Sequence, residues 1–116
     1  MNVPVSLTDL AREQLETARA ASAQRAAHTV YGGRDHALRQ TVVALLAGHS
    51  LGEHDSPGDA TIQVLSGEVR LTAGDDSWAM AAGDTMTIPD RRHDLAADTD
   101  AAVLLTVVVG IHGASS

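Results

Sequence analysis

The stretch GHSLGEHDSPGDATIQVLSG, residues 48–67, decides the fold of this chain. Its first half is rich in turn-forming residues and separates two apolar runs, residues 41–47 and 60–65. It also contains His49 and His54. A second stretch, GDTMTIPDRRH at residues 83–93, again follows a turn with apolar residues and ends in a histidine. Together the two stretches predict a fold and the position of a site.

The composition predicts one domain with an aliphatic core. A chain of 116 residues has the size of one ordinary domain, and 44% hydrophobic residues are enough to form a core. The chain has no Phe, one Trp and one Tyr, so Val, Leu, Ile and Ala must do the packing. The β-branched residues among them favour strands.

Charge and cysteine content exclude several classes of function. The formal net charge is -7 and Lys is absent, so a basic surface for nucleic acid or an anionic membrane is not expected. Without Cys there is no disulfide, no thiolate zinc site and no Cys nucleophile. The apolar runs are too short to span a bilayer, and no targeting segment is visible. We expect a cytoplasmic protein with neither nucleic acid nor membrane as partner.

The N-terminal segment predicts a helix over residues 6–26. Ser6 and Asp9 have the spacing of a helix cap. An apolar stripe follows at helical spacing, formed by Leu7, Ala11, Leu15, Ala18 and Ala21. Because this stripe is mostly Ala, it needs a partner surface, which is either the domain's own sheet or a second subunit. We assign residues 1–27 to an N-terminal helical extension.

The rest of the chain predicts an all-β domain over residues 28–110, with residues 111–116 as a tail. Short apolar runs alternate with Gly and Asp turns about every 8–12 residues, as in sandwiches and barrels. The flanks of Gly67 are predicted to pair as a hairpin. The predicted strands cover residues 28–31, 36–47, 60–65, 69–73, 78–80, 85–88, 94–97 and 101–109.

One motif in the first stretch is misleading. Residues 48–52 match the Gly-x-Ser-x-Gly nucleophile elbow of serine hydrolases. That elbow needs a helix directly after the serine, and residues 53–58 are unsuited to start one. A serine hydrolase is therefore not expected.

The spacing of both stretches resembles the cupin family. Gly48 and His54 are spaced as at the start of the first cupin motif, and Gly67 stands at its end. Ser56 and Ala60 occupy the places of the motif's second His and its Glu.

The second cupin motif is also present in altered form. Gly83 and Pro89 have its spacing, Arg91 replaces its second Gly, and His93 comes one residue early. The resemblance covers residues 38–109. It implies a mainly β, cupin-type jelly-roll barrel (a double-stranded β-helix) with the N-terminal α-helix in front, and small cupins commonly form homodimers.

The resemblance also implies a site inside the barrel. Metal-binding cupins hold a divalent transition metal (Zn, Fe, Mn, Ni or Cu) with two His, a Glu and a later His, and only His54 and His93 match that set. A hydrogen-bonded histidine pair without metal is equally plausible. Asp59 is the nearest substitute for the missing Glu. Three other carboxylates each adjoin one of the two histidines and should face away from the interior, because neighbouring side chains of a strand alternate: Glu53, Asp55 and Asp94.

Two functions follow as hypotheses. The first is a small-ligand-binding cupin with a degenerate metal site and a pocket formed by His54, Ser56 and His93. Arg39 reaches this pocket to hold an anion, forms a salt bridge elsewhere, or occupies an exposed edge position. The second is a metal-dependent cupin enzyme, of isomerase, lyase or dioxygenase type, that uses the two histidines with nonstandard additional ligands.

Overall fold

The computed structural model describes residues 3–55 and 58–109, and in this part of the chain one helix precedes eight strands. The five-stranded sheet has the order β1-β2-β8-β3-β6 and the three-stranded sheet the order β5-β4-β7, with every pairing antiparallel. The predicted mainly β class with an N-terminal helix is confirmed. The elements are α1 (Leu7–Ala20), β1 (Arg25–Tyr31), β2 (Leu38–Leu45), β3 (Asp59–Ser66), β4 (Glu68–Ala73), β5 (Asp76–Ala81), β6 (Thr85–Thr87), β7 (Asp94–Ala97) and β8 (Ala101–Val108).

Helix α1 begins as predicted and ends earlier. The Ser6 hydroxyl oxygen accepts a hydrogen bond from the Asp9 N–H at 3.1 Å, which is the expected N-cap. The helix stops at Ala20, and Gln24 adopts a left-handed conformation (φ 56°) that turns the chain. Residues 25–27 then pair with β2, so the β-structure starts three residues before the predicted boundary at 28. The strand-pairing hydrogen bonds of residues 25–27 with β2 override the helix propensity of their alanines.

The alanine stripe of α1 packs against the chain's own five-stranded sheet. Ala11 and Ala18 are buried, and α1 lies against β1, β2 and β8. Small side chains allow this close approach of helix and sheet. We call the side of the sheet that carries α1 the outer face. The homodimer stays a prediction, and it would need a surface other than these buried alanines.

The main core fills the space between the two sheets. Strands β3 and β4 alternate exposed and buried residues, as expected when one side of each sheet faces a core. We call the side of the five-stranded sheet that faces the three-stranded sheet the inner face. The core is aliphatic apart from one methionine and consists of Val43, Leu45, Ala60, Ile62, Val64, Val69, Leu71, Met80, Ile88, Leu95, Ala97, Ala101 and Val103.

The predicted hairpin between residues 60–65 and 69–73 is wrong. Strand β3 pairs with β6 and β8, whereas β4 pairs with β5 and β7 in the other sheet. The chain changes sheets at Gly67, whose φ is 77°. A Cβ there would overlap the Asp100 carbonyl oxygen and lie 2.8 Å from Ala101 Cα. Both inner faces are apolar, so burying them against each other favours the crossing over a flat hairpin.

Candidate functional site

The structure brings His54 and His93 together, and we call them the imidazole pair. They form an antiparallel bridge in which each backbone N–H donates to the other residue's carbonyl oxygen, at 2.9 and 3.0 Å. Their ring centres are 4.5 Å apart with the planes at 65°. The two sequence motifs therefore meet at one point.

Backbone contacts upstream of His54 hold it in place. The segment of residues 48–54 runs beside β7 as an irregular extra strand, with Ser50 bridged to Ala96. Leu51 N–H donates to the Leu95 carbonyl oxygen at 3.0 Å, and Gly48 N–H donates to that of Ala97 at 2.9 Å. The histidine is thus positioned by a strand-like ladder.

The hydrogen bonds of the two rings fix their tautomers. Nδ1 of His54 lies 3.0 Å from the Gly52 carbonyl oxygen, and Nδ1 of His93 lies 2.8 Å from that of Arg91. Because a carbonyl oxygen only accepts, each Nδ1 must carry the proton and donate it. In the neutral rings, both Nε2 atoms then keep a free lone pair.

The imidazole pair stands at one end of a small apolar cavity. His93 is 3% exposed, whereas His54 is open to solvent. The cavity volume is about 20 Å³, which is room for about one water molecule. Aliphatic side chains fill the rest of this space, and six of them line the cavity together with the two rings: Leu51, Ile62, Leu71, Ile88, Leu95 and Leu105.

The described residues fit a cupin metal only in part. The pair offers two neighbouring imidazoles, the commonest metal ligands, although a ring separation of 4.5 Å with the planes at 65° is also that of an ordinary edge-to-face contact. Yet residues 3–55 and 58–109 contain no cluster of three or more His, Asp or Glu able to hold an ion. Ala60, in the place of the Glu, points into the core and is 4% exposed. The donor set is therefore short of the three protein ligands typical of catalytic sites, and no reaction step follows from it.

The carboxylates beside the two histidines have other partners. Arg92 contacts Glu53 at 3.2 Å and Asp55 at 3.6 Å. Asp94 accepts a hydrogen bond from the Gly52 N–H at 2.9 Å. These contacts agree with the alternation argument, and they fasten the His54 segment to the His93 segment from outside the cavity.

The remaining predicted site residues are not seen at the cavity. Arg39 pairs with Val107 in the β2–β8 register, and its Nε donates to the His36 carbonyl oxygen at 3.4 Å. It is not among the residues that line the cavity. Ser56 lies outside the described residues. Asp59, at the start of β3, is exposed.

Sequence reasoning missed the groups that orient the rings. Gly52 and Arg91 each lie two residues before a histidine and supply the carbonyl oxygen that binds its Nδ1. The available signal was that each acceptor lies two residues before its histidine. This signal does not depend on residue type, because the acceptors are backbone carbonyl oxygens.

Comparisons with known proteins agree with this architecture. A family model described as "Cupin domain" matches residues 41–109, more than half of the chain. A conserved protein of unknown function from Streptococcus pyogenes, SPY1581, is 32% identical, with 78% of this chain and 79% of that chain covered and a TM-score of 0.69. The chain therefore belongs to the cupin family.

Two further solved structures share the fold. A cupin superfamily protein from Desulfitobacterium hafniense is 18% identical, with 95% of this chain and 94% of that chain covered and a TM-score of 0.75. An RmlC-like cupin from Desulfovibrio desulfuricans is 25% identical, with 72% and 81% covered and a TM-score of 0.63. No curated protein matches the sequence. Within the described residues, α1 is too short and too polar to be a membrane-spanning helix.

Proposed function

We propose that this cupin binds a small ligand through the imidazole pair at the mouth of its barrel. The observation that carries the proposal is that each Nδ1 atom donates a hydrogen bond to a backbone carbonyl oxygen. This leaves two Nε2 acceptors on rings whose centres are 4.5 Å apart.

The size of the cavity limits how such a ligand binds. A volume of about 20 Å³ admits no more than a water-sized group. The body of the ligand must therefore lie at the mouth, against the exposed ring of His54. Neutral Nε2 atoms accept hydrogen bonds, so we propose a ligand that carries a hydroxyl or amine donor.

The second candidate function is a metal-dependent cupin enzyme of isomerase, lyase or dioxygenase type. The proximity of two imidazoles favours it, because histidine is the commonest metal ligand. Water, substrate or further ligands would have to complete the coordination. The imidazole donors suit Zn, Cu, Fe and Ni better than the oxygen-preferring Mn.

Fragment binding followed by amide NMR tests the first candidate. We expect small alcohols and amines to shift the amide signals of residues 51–54 and 93–95, and His54→Ala to weaken these shifts at least fivefold. His28→Ala is the matched control, since His28 is exposed on β1 and remote in sequence from the imidazole pair. Shifts that map elsewhere, or that survive His54→Ala, would contradict the proposal.

Metal analysis separates the two candidates. Protein purified without a His-tag is analysed for metal content as purified, and again after incubation with Zn, Mn, Fe, Ni or Cu and dialysis. The enzyme candidate predicts about one ion per chain that is lost in the double variant His54→Ala/His93→Ala and retained in His28→Ala. A metal content near zero under every condition would eliminate it.

A further inference from the structure

A second, larger cavity lies on the outer face of the five-stranded sheet, between α1 and the end of β3. This α1 groove has a volume of about 340 Å³, within the range of roughly 300–1,000 Å³ usual for small-molecule sites. Leu7, Leu15 and Leu65 form its apolar wall, and Arg12, Arg19 and Ser66 are its main polar residues. Nothing in the cupin resemblance assigns a role to these residues.

A β-bulge turns Ser66 toward the α1 groove. Val64 pairs with Val103, but Ser66 pairs with Ala102, so Leu65 is the extra residue. Val103 belongs to the inner core, and its neighbour Ala102 must face α1 because side chains alternate along β8. Without the bulge, Ser66 would share the inner face with Val64. Bulges that re-aim a side chain are common next to functional sites.

The Ser66 hydroxyl lacks a partner. Among the described residues, its Oγ is the only buried side-chain oxygen or nitrogen without a hydrogen bond. A buried hydroxyl without a partner is unfavourable, and most such groups in native proteins are paired. Ser66 lines the α1 groove, so a rotation about its Cα–Cβ bond would bring the hydroxyl to a ligand there and supply the missing bond.

The two arginines that line the α1 groove favour an anionic ligand. Arg12 and Arg19 are seven residues apart and therefore lie on the same side of α1. Their side chains are 60% and 53% exposed and contact Asp9 at 3.0 Å and Asp100 at 3.3 Å. Exposed ion pairs of this kind are weak, so either guanidinium can be recruited by another carboxylate.

Arg19 is at the Ser66 end of the α1 groove. It contacts the Asp100 side chain, and the carbonyl oxygen of Asp100 lies against Gly67, the residue after Ser66. The α1 groove thus has a guanidinium and an unpaired hydroxyl at one end and leucines along the rest of its length. This arrangement matches a carboxylate that carries an aliphatic tail. We propose that the α1 groove binds a small amphipathic monocarboxylate, with its oxygens on Arg19 and Ser66 and its tail along Leu15 and Leu7.

Titration with octanoate, below the concentration at which it forms micelles, tests this proposal. We expect saturable binding of one octanoate per chain, seen as NMR shifts at residues 15–19 and 65–67. Acetate lacks the tail and octylammonium reverses the charge, so each should bind at least tenfold more weakly. Equal affinity for octylammonium would overturn the assignment of an anion.

Three variants localise the site. Arg19→Gln should weaken octanoate binding about tenfold, while Arg70→Gln, which removes an exposed arginine paired with Asp98 on the other sheet, should leave it unchanged. Ser66→Ala should weaken binding at least fivefold without lowering the melting temperature, because the hydroxyl has no partner to lose. Unchanged binding in both Arg19→Gln and Ser66→Ala would overturn the proposal.

Two other outcomes also decide against it. Octanoate shifts confined to residues 51–54 and 93–95 would place the carboxylate at the imidazole pair. Light scattering that finds a dimer disrupted by Leu15→Arg would assign the α1 groove to a second copy of the chain. Binding at the α1 groove is independent of ligand binding at the imidazole pair, so His54→Ala serves as a variant that should leave octanoate binding intact.

Discussion

The two faces of the five-stranded sheet differ in how completely they are filled. On the inner face, aliphatic side chains leave a cavity of about 20 Å³ below the imidazole pair. On the outer face, α1 covers the sheet with alanines and leaves a groove of about 340 Å³ near the end of β3. Cupins that bind a metal use the inner space, yet in this chain the outer face has more room for a ligand.

The difference follows from residue size at a few positions. Ile62 and Val64 project inward from β3 and are 0% and 1% exposed, so they pack tightly against the opposite sheet. On the outer face the bulge at Leu65 interrupts the ladder, and the groove lies between this end of β3 and α1. Close packing on one side of a strand is therefore compatible with an open groove on the other.

The largest expected effect comes from Gly67→Ala, at the corner where the chain leaves one sheet for the other. The substitution combines a left-handed backbone (φ 77°) with a Cβ that would overlap the Asp100 carbonyl oxygen. We expect a loss of about 4 kcal/mol in the free energy of unfolding, measured by urea denaturation. Gly83→Ala is the control, because its φ of 95° is also left-handed but nothing lies within 4 Å of the added Cβ; it should cost about 1 kcal/mol. Similar losses in both variants would show that the corner is not tightly packed.

The next effect tests the inner face directly. Ile62→Ala should lower the free energy of unfolding by about 3 kcal/mol, because this side chain is fully buried in the core. Leu65→Ala, on the same strand but facing the partly open groove, should cost about 1 kcal/mol. Chemical denaturation of both variants measures the contrast. Equal costs would mean that the two faces are equally well packed.

The two histidines should also differ from each other. His93→Ala removes a ring that is 3% exposed and leaves the Arg91 carbonyl oxygen without its donor, so we expect a loss of about 2 kcal/mol. His54→Ala changes a solvent-exposed ring and should cost less than about 1 kcal/mol. Thermal and urea unfolding of the two variants check this. A larger cost for His54→Ala would contradict the structure of the imidazole pair.

The smallest effect concerns pH and the link between α1 and the sheet. A hydrogen bond from the Ala47 N–H, helped by Arg19, lowers the pKa of Asp100 below its ordinary value of 3.8, although burial partly opposes the shift. A lowered pKa in the folded state means that Asp100 stabilises the protein above its ordinary pKa and that this contribution is lost as the pH falls through the lowered value.

The difference in free energy of unfolding between wild type and Asp100→Asn should therefore shrink on acidification from about pH 5 to about pH 3. Because Asp100 is 39% exposed, solvent screens the effect and we expect it to be small. Urea denaturation at several pH values measures it, with Asp75→Asn in the exposed β4–β5 turn as control.

Much of the fold was predictable from glycine and histidine spacing. Gly48, Gly67 and Gly83 mark turns, and the two motifs correctly pointed to His54 and His93 as neighbours. The positions of the carboxylates also followed from strand alternation. The turns and the alternation depend on short-range geometry, which a sequence encodes directly. The meeting of the two histidines, 39 residues apart, followed instead from the family resemblance.

Other features depend on contacts that spacing does not encode. The residues around Gly67 have the pattern of a hairpin, and only the need to bury two apolar faces decides for a crossing between sheets. The bulge that turns Ser66 outward is visible only in the register of β3 against β8, about forty residues further on. The filling of the inner cavity likewise depends on how six side chains from separate segments pack together.

The place of β8 in the sheet has a consequence for biosynthesis. This strand is last in the order of the described elements, yet all eight of its residues pair with β2 and seven of them also pair with β3. Until residues 101–108 leave the ribosome, both neighbours present bare hydrogen-bonding edges, which are liable to pair with other chains. Folding of this domain should therefore wait until β8 has been synthesised, and it should be comparatively slow, because its central pairings join residues far apart in the chain.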